Sequence, residues 1–209
     1  MDQPINQTPN RNFFGSFAAT WLFIWDFLKI VLIALVIIVP IRYFVFQPYI
    51  VSGSSMEPNF RNAQYLIVDK LTYHFRQPVR GEVIVMHYPR DPKQDFIKRI
   101  IGLPGEKIQI DNGKITIFNA SHPQGVALDE KYLPNQGLTY TQDPIIVGGS
   151  KTLTLSSDQY FMMGDNRLAS SDSRSWGPLP KSDIVGRTLI RVLPLTDFKV
   201  FTQSPAYGL

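Results

Sequence analysis

The chain has 209 residues, of which 44% are hydrophobic and 18% charged, a balance that excludes both a disordered protein and a multi-span membrane protein. The net charge of +4 is modest and spread along the chain, so we predict no nucleic-acid partner. Cysteine is absent, and the three histidines form no metal-binding pair at helical spacing, so we predict no metal and no cofactor.

The N-terminal region predicts a flexible polar tail over residues 1–20 and a membrane anchor over residues 21–46. About twenty apolar helical residues cross the hydrocarbon core of a bilayer, and this segment is long enough. A soluble core helix would be amphipathic, whereas Ile30–Val39 is apolar on every face. A cleaved signal peptide would have a short basic leader, which this tail lacks. Aromatic side chains flank the anchor as an interfacial belt would: Trp21, Trp25, Tyr43 and Phe46.

Residues 47–209 predict a mainly β domain, because short β-rich segments alternate with Pro, Gly and Arg. Asn112-Gly113 lies between two alternating segments, which predicts a two-residue hairpin turn. A loop-rich insert is predicted at about 112–152, where Pro, Gly, Asn and Gln are frequent. The expected fold is a folded antiparallel β-sheet or barrel with one N-terminal transmembrane helix.

The serine-rich stretch "VSGSSMEPNF", Val51–Phe60, raises the question of a nucleophile and its base. The usual base is a histidine held by a carboxylate, but His74 and His87 have no Gly-rich turn beside them. A desolvated lysine is the alternative, and Lys98 in "DFIKRIIGLPG" shares a strand face with Phe96. The same segment also fits an edge strand with a solvated Lys-Arg pair, so the residues alone leave the base open.

A second polar stretch, "GDNRLASSDSRSWG", spans Gly164–Gly177. Its hydroxyls, carboxylates and guanidinium groups suit a surface loop, and they suit equally a network that braces an active site. A catalytic carboxylate pair of Asp165 and Asp172 is a third interpretation.

Together these stretches resemble the type I signal peptidases, the bacterial leader peptidase family, which use a Ser-Lys dyad. The match rests on an anchor followed in order by "SGSSMEP", "RGEVIVMHYPRDPKQDFIKRIIGLPGE" and "GDNRLASSDSRSWG". By this resemblance Ser55, which precedes Met56, is the nucleophile, and Lys98 is the general base. The remaining implied roles are those of oxyanion and supporting residues: Gly53, Ser170 as a hydrogen-bond partner of the lysine, Asp165, and the bracing ion pair Asp172–Arg174.

The resemblance also implies the substrate, a secretory preprotein with small residues at the first and third positions before the cut. Two shallow apolar pockets would hold these side chains while the peptide adds to the sheet as a strand. The first pocket is expected to contain Met56, Phe60, Phe96 and Ile97, and the second Val51, Leu66, Val85 and Ile97. Asp95 is the remaining expected substrate-binding residue.

The family further implies that the N-terminus is cytoplasmic, that the catalytic domain lies on the outer face of a bacterial plasma membrane, and that the anchor contacts lipid. A thylakoid or other organellar membrane is the alternative. Departures from the family pattern are Gly53, where many relatives carry serine; Leu168-Ala169, where they often carry Asp-Asn; and Asn59, where threonine is common.

Three other functions compete with this one. A self-cleaving repressor of the LexA type shares the dyad, but it is soluble and carries a DNA-binding domain. A specialised pilin- or conjugation-processing peptidase would differ in substrate choice. A tethered module that binds signal peptides without cutting them would not need the serine beside a lysine.

Overall fold

A computed structural model describes residues 12–111, 113–133, 152–202 and 207. Part of the predicted tail, residues 1–11, and part of the predicted insert, residues 112 and 134–151, lie outside the described residues. The chain divides between residues 43 and 44 into an N-terminal unit and a C-terminal unit.

The N-terminal unit contains helix α1, Asn12–Pro40, which a π-helical turn, Ile41–Val45, extends. The helix begins before residue 21, so residues 12–20 of the predicted tail are helical, because "NFFGSFAAT" contains no proline to stop the helix. Within α1, the 21 residues Thr20–Pro40 have a mean hydropathy of 2.7 and are not buried. Their length and composition suit a membrane-spanning segment.

The C-terminal unit is built from antiparallel strands, as the β-rich segments predict. Its largest sheet has eight strands in the order β1-β2-β11-β3-β4-β9-β10, with β12 paired to β11. The described strands are β1 Phe46–Ile50, β2 Tyr65–Asp69, β3 Val83–Tyr88, β4 Asp91–Gly102, β5 Lys107–Asp111, β6 Lys114–Phe118, β7 Val126–Ala127, β8 Thr152–Thr154, β9 Gln159–Met163, β10 Leu179–Pro180, β11 Ile184–Leu193 and β12 Lys199–Val200. The short helices are α2 Thr72–Phe75 and α3 Ser173–Trp176, with 3-10 turns at Lys181–Asp183 and Leu195–Asp197.

A second sheet of four strands has the order β7-β6-β5-β8. Strands β5 and β6 pair in register from Lys107↔Phe118 to Asp111↔Lys114, so a two-residue connection joins them as predicted. The positive φ of Gly113, 75°, is the left-handed conformation that such a connection requires. Strands β6 and β7 lie inside the predicted insert, whose described part is therefore not all loop.

The hydrophobic core lies in three clusters. One joins the second sheet to β9 through Ile108, Ile117, Leu155 and Phe161, all at most 2% exposed. Another packs Ile84, Met86 and Ile100 of the main sheet together. These clusters hold β3, β4 and β9 rigidly, and the candidate site is built on two of these three strands. The fold class expected from the sequence is confirmed.

Removing core volume from the cluster between the sheets should destabilise the domain. Leu155→Ala deletes a side chain that is 2% exposed, and we expect the free energy of unfolding to fall by about 2–5 kcal/mol. The matched Leu195→Ala removes a side chain that is 74% exposed, and its effect should stay within about 0.5 kcal/mol. Chemical denaturation in detergent measures both, and equal losses would contradict this core.

Candidate active site

The serine that the motif indicates lies in the loop between β1 and β2, and the lysine lies on β4. Ser55 Oγ and Lys98 Nζ are 2.8 Å apart. Gly53, with φ of 90°, turns the chain just before the serine, and its N–H donates to Asn62 Oδ1 at 3.0 Å. Met56, 1% exposed, anchors the other side of the loop in the core. The Ser55 side chain is therefore placed by a turn and a buried side chain.

Lys98 is only 2% exposed, although its neighbours on the strand include charged residues. Burial lowers its pKa to about 8, while the carboxylates of Asp172 and Asp165 oppose this change and Arg174 reinforces it. The ammonium group lies 5.1 Å from the centre of the Phe96 ring and donates to Ile97 O at 2.9 Å. At neutral pH about a tenth of such a lysine is unprotonated, far more than for a solvated lysine.

The polar loop 164–177 braces the dyad through a buried ion pair. Arg174 Nε and Nη2 donate to the two carboxylate oxygens of Asp172 at 2.8 and 2.7 Å. The Gly164 N–H also donates to Asp172, at 3.0 Å. A Cβ at Gly164 would overlap the Ser170 hydroxyl and the backbone oxygen of Ser55, so the loop approaches the nucleophile closely only because glycine occupies this position.

Asp165 forms a second buried pair, with the residue that follows the lysine. Arg99 Nε and Nη2 donate to its two oxygens at 2.7 and 2.6 Å, and Asn59 Nδ2 donates to it at 2.9 Å. Asp165 and Asp172 each bond a separate arginine, so they do not form the carboxylate pair that was one interpretation of this loop. Arg99 is 5% exposed, which excludes the solvated Lys-Arg edge pair.

The bond expected between Ser170 and the lysine is not formed in this structure. The Ser170 hydroxyl is buried and has no hydrogen-bond partner among the described residues. Its side chain lies against Gly164, whereas Lys98 Nζ is already engaged by Ser55 and by the Ile97 carbonyl.

A cavity of about 260 Å³ opens beside the dyad. It is lined by Ser55, Lys98 and Gly53, and by the expected substrate-binding residues Val51, Leu66, Val85, Asp95, Phe96 and Ile97. Met56 and Phe60 do not line it. Each is 1% exposed and packs in the core beneath, where the Phe60 ring stacks on Phe201 at 5.1 Å. The pocket is thus apolar on the walls and polar where the reaction would occur.

The alternative bases lie elsewhere. His74 Nδ1 contacts the Lys70 carbonyl at 3.2 Å, and His87 is held by Asp95 at 2.7 Å. A larger cavity of about 610 Å³ is lined by Arg99 and Arg191, but neither Ser55 nor Lys98 reaches it. The larger cavity therefore does not include the Ser55–Lys98 pair, and the smaller cavity is the candidate site.

Several residues of the site, among them Asn166, Tyr49 and Asn59, were not assigned roles from the sequence. Asn166 ties the loop to the nucleophile, because its N–H donates to Ser55 O at 3.0 Å and its side chain to Ser54 O at 3.2 Å. Tyr49 lines the pocket, and Asn59 holds Asp165. Asn166 stands within the "GDN" motif, which was the available signal, whereas the roles of Tyr49 and Asn59 depend on contacts far apart in sequence.

Known proteins resemble this chain over most of its length. The family model described as "Signal peptidase, peptidase S26" matches residues 24–193. "Probable signal peptidase I-1" of Synechocystis is 34% identical over 199 residues, 89% of this chain and 92% of that protein. "Signal peptidase I P" of Bacillus subtilis subsp. natto is 36% identical over 172 residues, 81% of this chain and 89% of that protein. A crystal structure of a signal peptidase I from Enterococcus faecalis is 31% identical, covers 54% of this chain and 97% of that chain, and has a TM-score of 0.42.

The match of residues 24–193 to a peptidase family places this β domain among the peptidases. The chain belongs to the signal peptidase family, and the resemblance drawn from its motifs is confirmed. The soluble LexA-type alternative is excluded by this membership and by the apolar helix α1.

The charge of Arg174 should control the pKa of Lys98. Arg174→Gln removes a cation that favours the neutral amine and leaves Asp172 uncompensated, so we expect the pKa of Lys98 to rise from about 8 by up to about one pH unit. Arg174→Lys is the matched control, because it keeps the charge. The ¹³Cε chemical shift of labelled Lys98, followed against pH, gives the pKa of Lys98 in each variant, and its signal is assigned by its absence in Lys98→Met. Identical titrations in Arg174→Gln and Arg174→Lys would contradict this electrostatic coupling.

Proposed function

We propose that this chain is a membrane-bound serine endopeptidase that removes N-terminal signal peptides from exported preproteins by a Ser-Lys dyad mechanism. The observation that carries the proposal is the 2.8 Å separation of Ser55 Oγ and the desolvated Lys98 Nζ. Membership of the signal peptidase family supports it, as do relatives that are themselves named signal peptidase I.

The proposed chemistry is acyl transfer in two halves. Neutral Lys98 accepts the proton of the Ser55 hydroxyl while Oγ attacks the scissile carbonyl carbon, and a tetrahedral intermediate forms. The Ser55 N–H is proposed as an oxyanion donor. The intermediate collapses, the C–N bond breaks, and protonated Lys98 gives its proton to the leaving amine. Lys98 then takes a proton from water as the water attacks the acyl ester, and it returns that proton to Ser55 Oγ when the ester C–O bond breaks, which frees the acid product and restores neutral Lys98.

The loop residues are proposed to support this cycle rather than to react. Asp172 and Arg174 hold the backbone of the loop through the Gly164 N–H, and Asp165 fixes β4 through Arg99. The Ser170 hydroxyl, buried and without a partner in the described chain, is proposed to accept a hydrogen bond from Lys98 once the lysine is protonated. Gly53 is proposed to support the oxyanion site by the turn it permits.

The substrate is proposed to be a secretory preprotein with small residues at the first and third positions before the cut. The walls at Val51, Val85 and Ile97 are apolar and close, which suits small aliphatic side chains. Phe96 and Leu66 complete the lining. Because Met56 and Phe60 lie beneath the surface, we propose that they set the depth of the first pocket without touching the substrate.

The residues 21–46 are proposed to anchor the enzyme in lipid, with residues 1–20 on the cytoplasmic side and residues 47–209 on the outer face of a bacterial plasma membrane. The apolar helix and the family support this arrangement. Such an anchor places the active site where signal peptides reside in the bilayer. A narrower pilin- or conjugation-specific activity and a non-catalytic binding module are outcomes that the next experiment distinguishes.

Loss of either dyad member should abolish cleavage. The full chain in detergent is incubated with a preprotein carrying an Ala-x-Ala site, and mature product is quantified. We expect Ser55→Ala and Lys98→Met to lower the rate at least about a thousandfold, because neither half-reaction then has its nucleophile or base. Ser157→Ala and Lys181→Met, surface changes outside the pocket, serve as controls and should retain the rate.

Persistence of product in Lys98→Met would transfer the role of base to another residue. Absence of product with this preprotein, but cleavage of a pilin-type precursor, would support the narrower specificity. Binding of the preprotein without product from any substrate would support the binding module.

The pH dependence follows from the pKa of the lysine. The active form of Lys98 is neutral, so kcat/KM should fall about tenfold for each pH unit below about 8 and level off above it. Stopped-time assays between about pH 5 and pH 10 measure this profile, with circular dichroism to confirm that the fold persists. A rate that stays flat down to mildly acidic pH would contradict a lysine base.

A further inference from the structure

Three polar side chains form a hydrogen-bonded row in and beside the pocket. Tyr49 on β1 donates its hydroxyl proton to Asp95 Oδ2 at 3.0 Å, and His87 Nδ1 on β3 lies 2.7 Å from Asp95 Oδ1. Tyr49 and Asp95 line the same cavity as Ser55. Asp95 stands three residues before Lys98 on β4, about 10 Å away along an extended strand.

This row bridges two strands that do not pair with each other. Among the described strands β1 pairs only with β2, and β4 pairs with β9 only from Arg99 onward. The edges of β1 and of the Asp95–Lys98 segment are therefore free on the pocket side, and a peptide strand could add to them. The Tyr49–Asp95 hydrogen bond spans the gap between these edges, so a bound peptide would pass over it.

The strand register places Asp95 relative to the bound peptide. Ile97, opposite Val85, belongs to the wall proposed for the third residue before the cut, and Asp95, opposite His87, lies two residues further along the same face. Side chains of a strand repeat on one face every second residue. A peptide strand that runs parallel to β4, with its third residue before the cut beside Ile97, places the side chain of its fifth residue before the cut nearest to Asp95.

The Asp95 carboxylate, which carries the charge at this position, is partly exposed. The side chain of Asp95 is 29% exposed and that of His87 is 48% exposed, so neither is sealed from a ligand. Burial, and after it the charge of Asp95, raise the pKa of Tyr49 well above its ordinary value, so its hydroxyl remains a neutral donor. Two donors orient the carboxylate, which can still accept further bonds because its two oxygens offer about four lone-pair sites.

We propose that Asp95 is a specificity-determining residue for the fifth residue before the cut, where it favours lysine, arginine or another hydrogen-bond donor over glutamate and aspartate. The inference rests on the proposed function, since it requires a peptide that is cleaved at Ser55. In this proposal the Asp95 carboxylate lies beyond the apolar walls of the pocket. It selects the substrate side chain by charge, whereas the walls select by size.

The test uses the full chain in a neutral detergent and three preproteins that differ only at this fifth residue: lysine, glutamine or glutamate. At low salt we expect kcat/KM for lysine to exceed that for glutamate about tenfold, and the ratio should approach one at about 0.5 M salt because the charges are exposed. Asp95→Asn should bring the low-salt ratio of kcat/KM for lysine to that for glutamate near one, whatever its effect on the absolute rates. Asp95→Glu, which keeps the charge, should preserve the preference, and Asp158→Asn, a surface carboxylate outside the pocket, should leave it unchanged.

The assignment is overturned if the unaltered enzyme at low salt cleaves the lysine and glutamate substrates with nearly equal kcat/KM. It is also overturned if Asp95→Asn keeps the same ratio of kcat/KM for lysine to that for glutamate as the unaltered enzyme. Should Asp95→Asn fail to fold, the salt dependence of the unaltered enzyme decides, because a ratio that does not fall with salt excludes selection by this carboxylate. If the unaltered enzyme does not cut even the glutamine substrate, the proposed function is refuted, and this inference with it. If it cuts the glutamine substrate but shows no charge preference, only this inference is refuted.

Discussion

The desolvation of one ammonium group is the constraint on which the rest of the site depends. Burial holds the pKa of Lys98 at about 8, and a change of that size from the ordinary value corresponds to about 3 kcal/mol. This free energy opposes the charged form of Lys98 in the folded protein. The amine beside Ser55 can therefore accept a proton near neutral pH. The cluster that joins β3, β4 and β9 packs the strand that carries this lysine against its neighbours.

The two arginine–carboxylate pairs stabilise the site around the buried lysine without cancelling the effect of burial, which lowers the pKa of Lys98. Asp165 and Asp172 each raise the pKa of Lys98, yet each is bonded to its own arginine and neither contacts the amine. A buried carboxylate without such a partner would hold the lysine charged. The pairs therefore act as a scaffold, because they position β4 and the loop 164–177 while their net charge near the dyad stays close to zero.

The pocket has two kinds of lining that would serve the proposed function differently. Its apolar walls, at Val51, Val85 and Ile97, are proposed to discriminate by size, which is worth little per methylene group. The Tyr49–Asp95–His87 row lies further from the nucleophile and is polar, so it can discriminate by charge. Both features are placed by the pairing of β3 with β4, whose register sets which side chains share a face.

The sequence by itself determined the order of the parts. The uninterrupted apolar run predicted the helix, the β-rich segments predicted the strands, and the motif around Ser55 with Lys98 predicted the two groups that the structure brings to 2.8 Å. These were predictable because hydrophobic period, turn residues and short motifs are local properties. The helical conformation of residues 12–20 was not predicted, since their polar and small residues indicate a helix less strongly than the apolar run indicates the anchor.

Only the tertiary structure decided the contacts between distant segments. Burial of Lys98 rather than solvation, the separate partners of Asp165 and Asp172, and the hydroxyl of Ser170, unpartnered within the described chain, depend on how β4 meets the loop 164–177. The withdrawal of Met56 and Phe60 into the core depends on another cluster, which they form with Val51, Leu66 and Val83. The bridge from Tyr49 to Asp95 joins residues 46 positions apart in sequence. Such contacts follow from packing and sheet register, which fix the surroundings of a side chain only after the chain has folded.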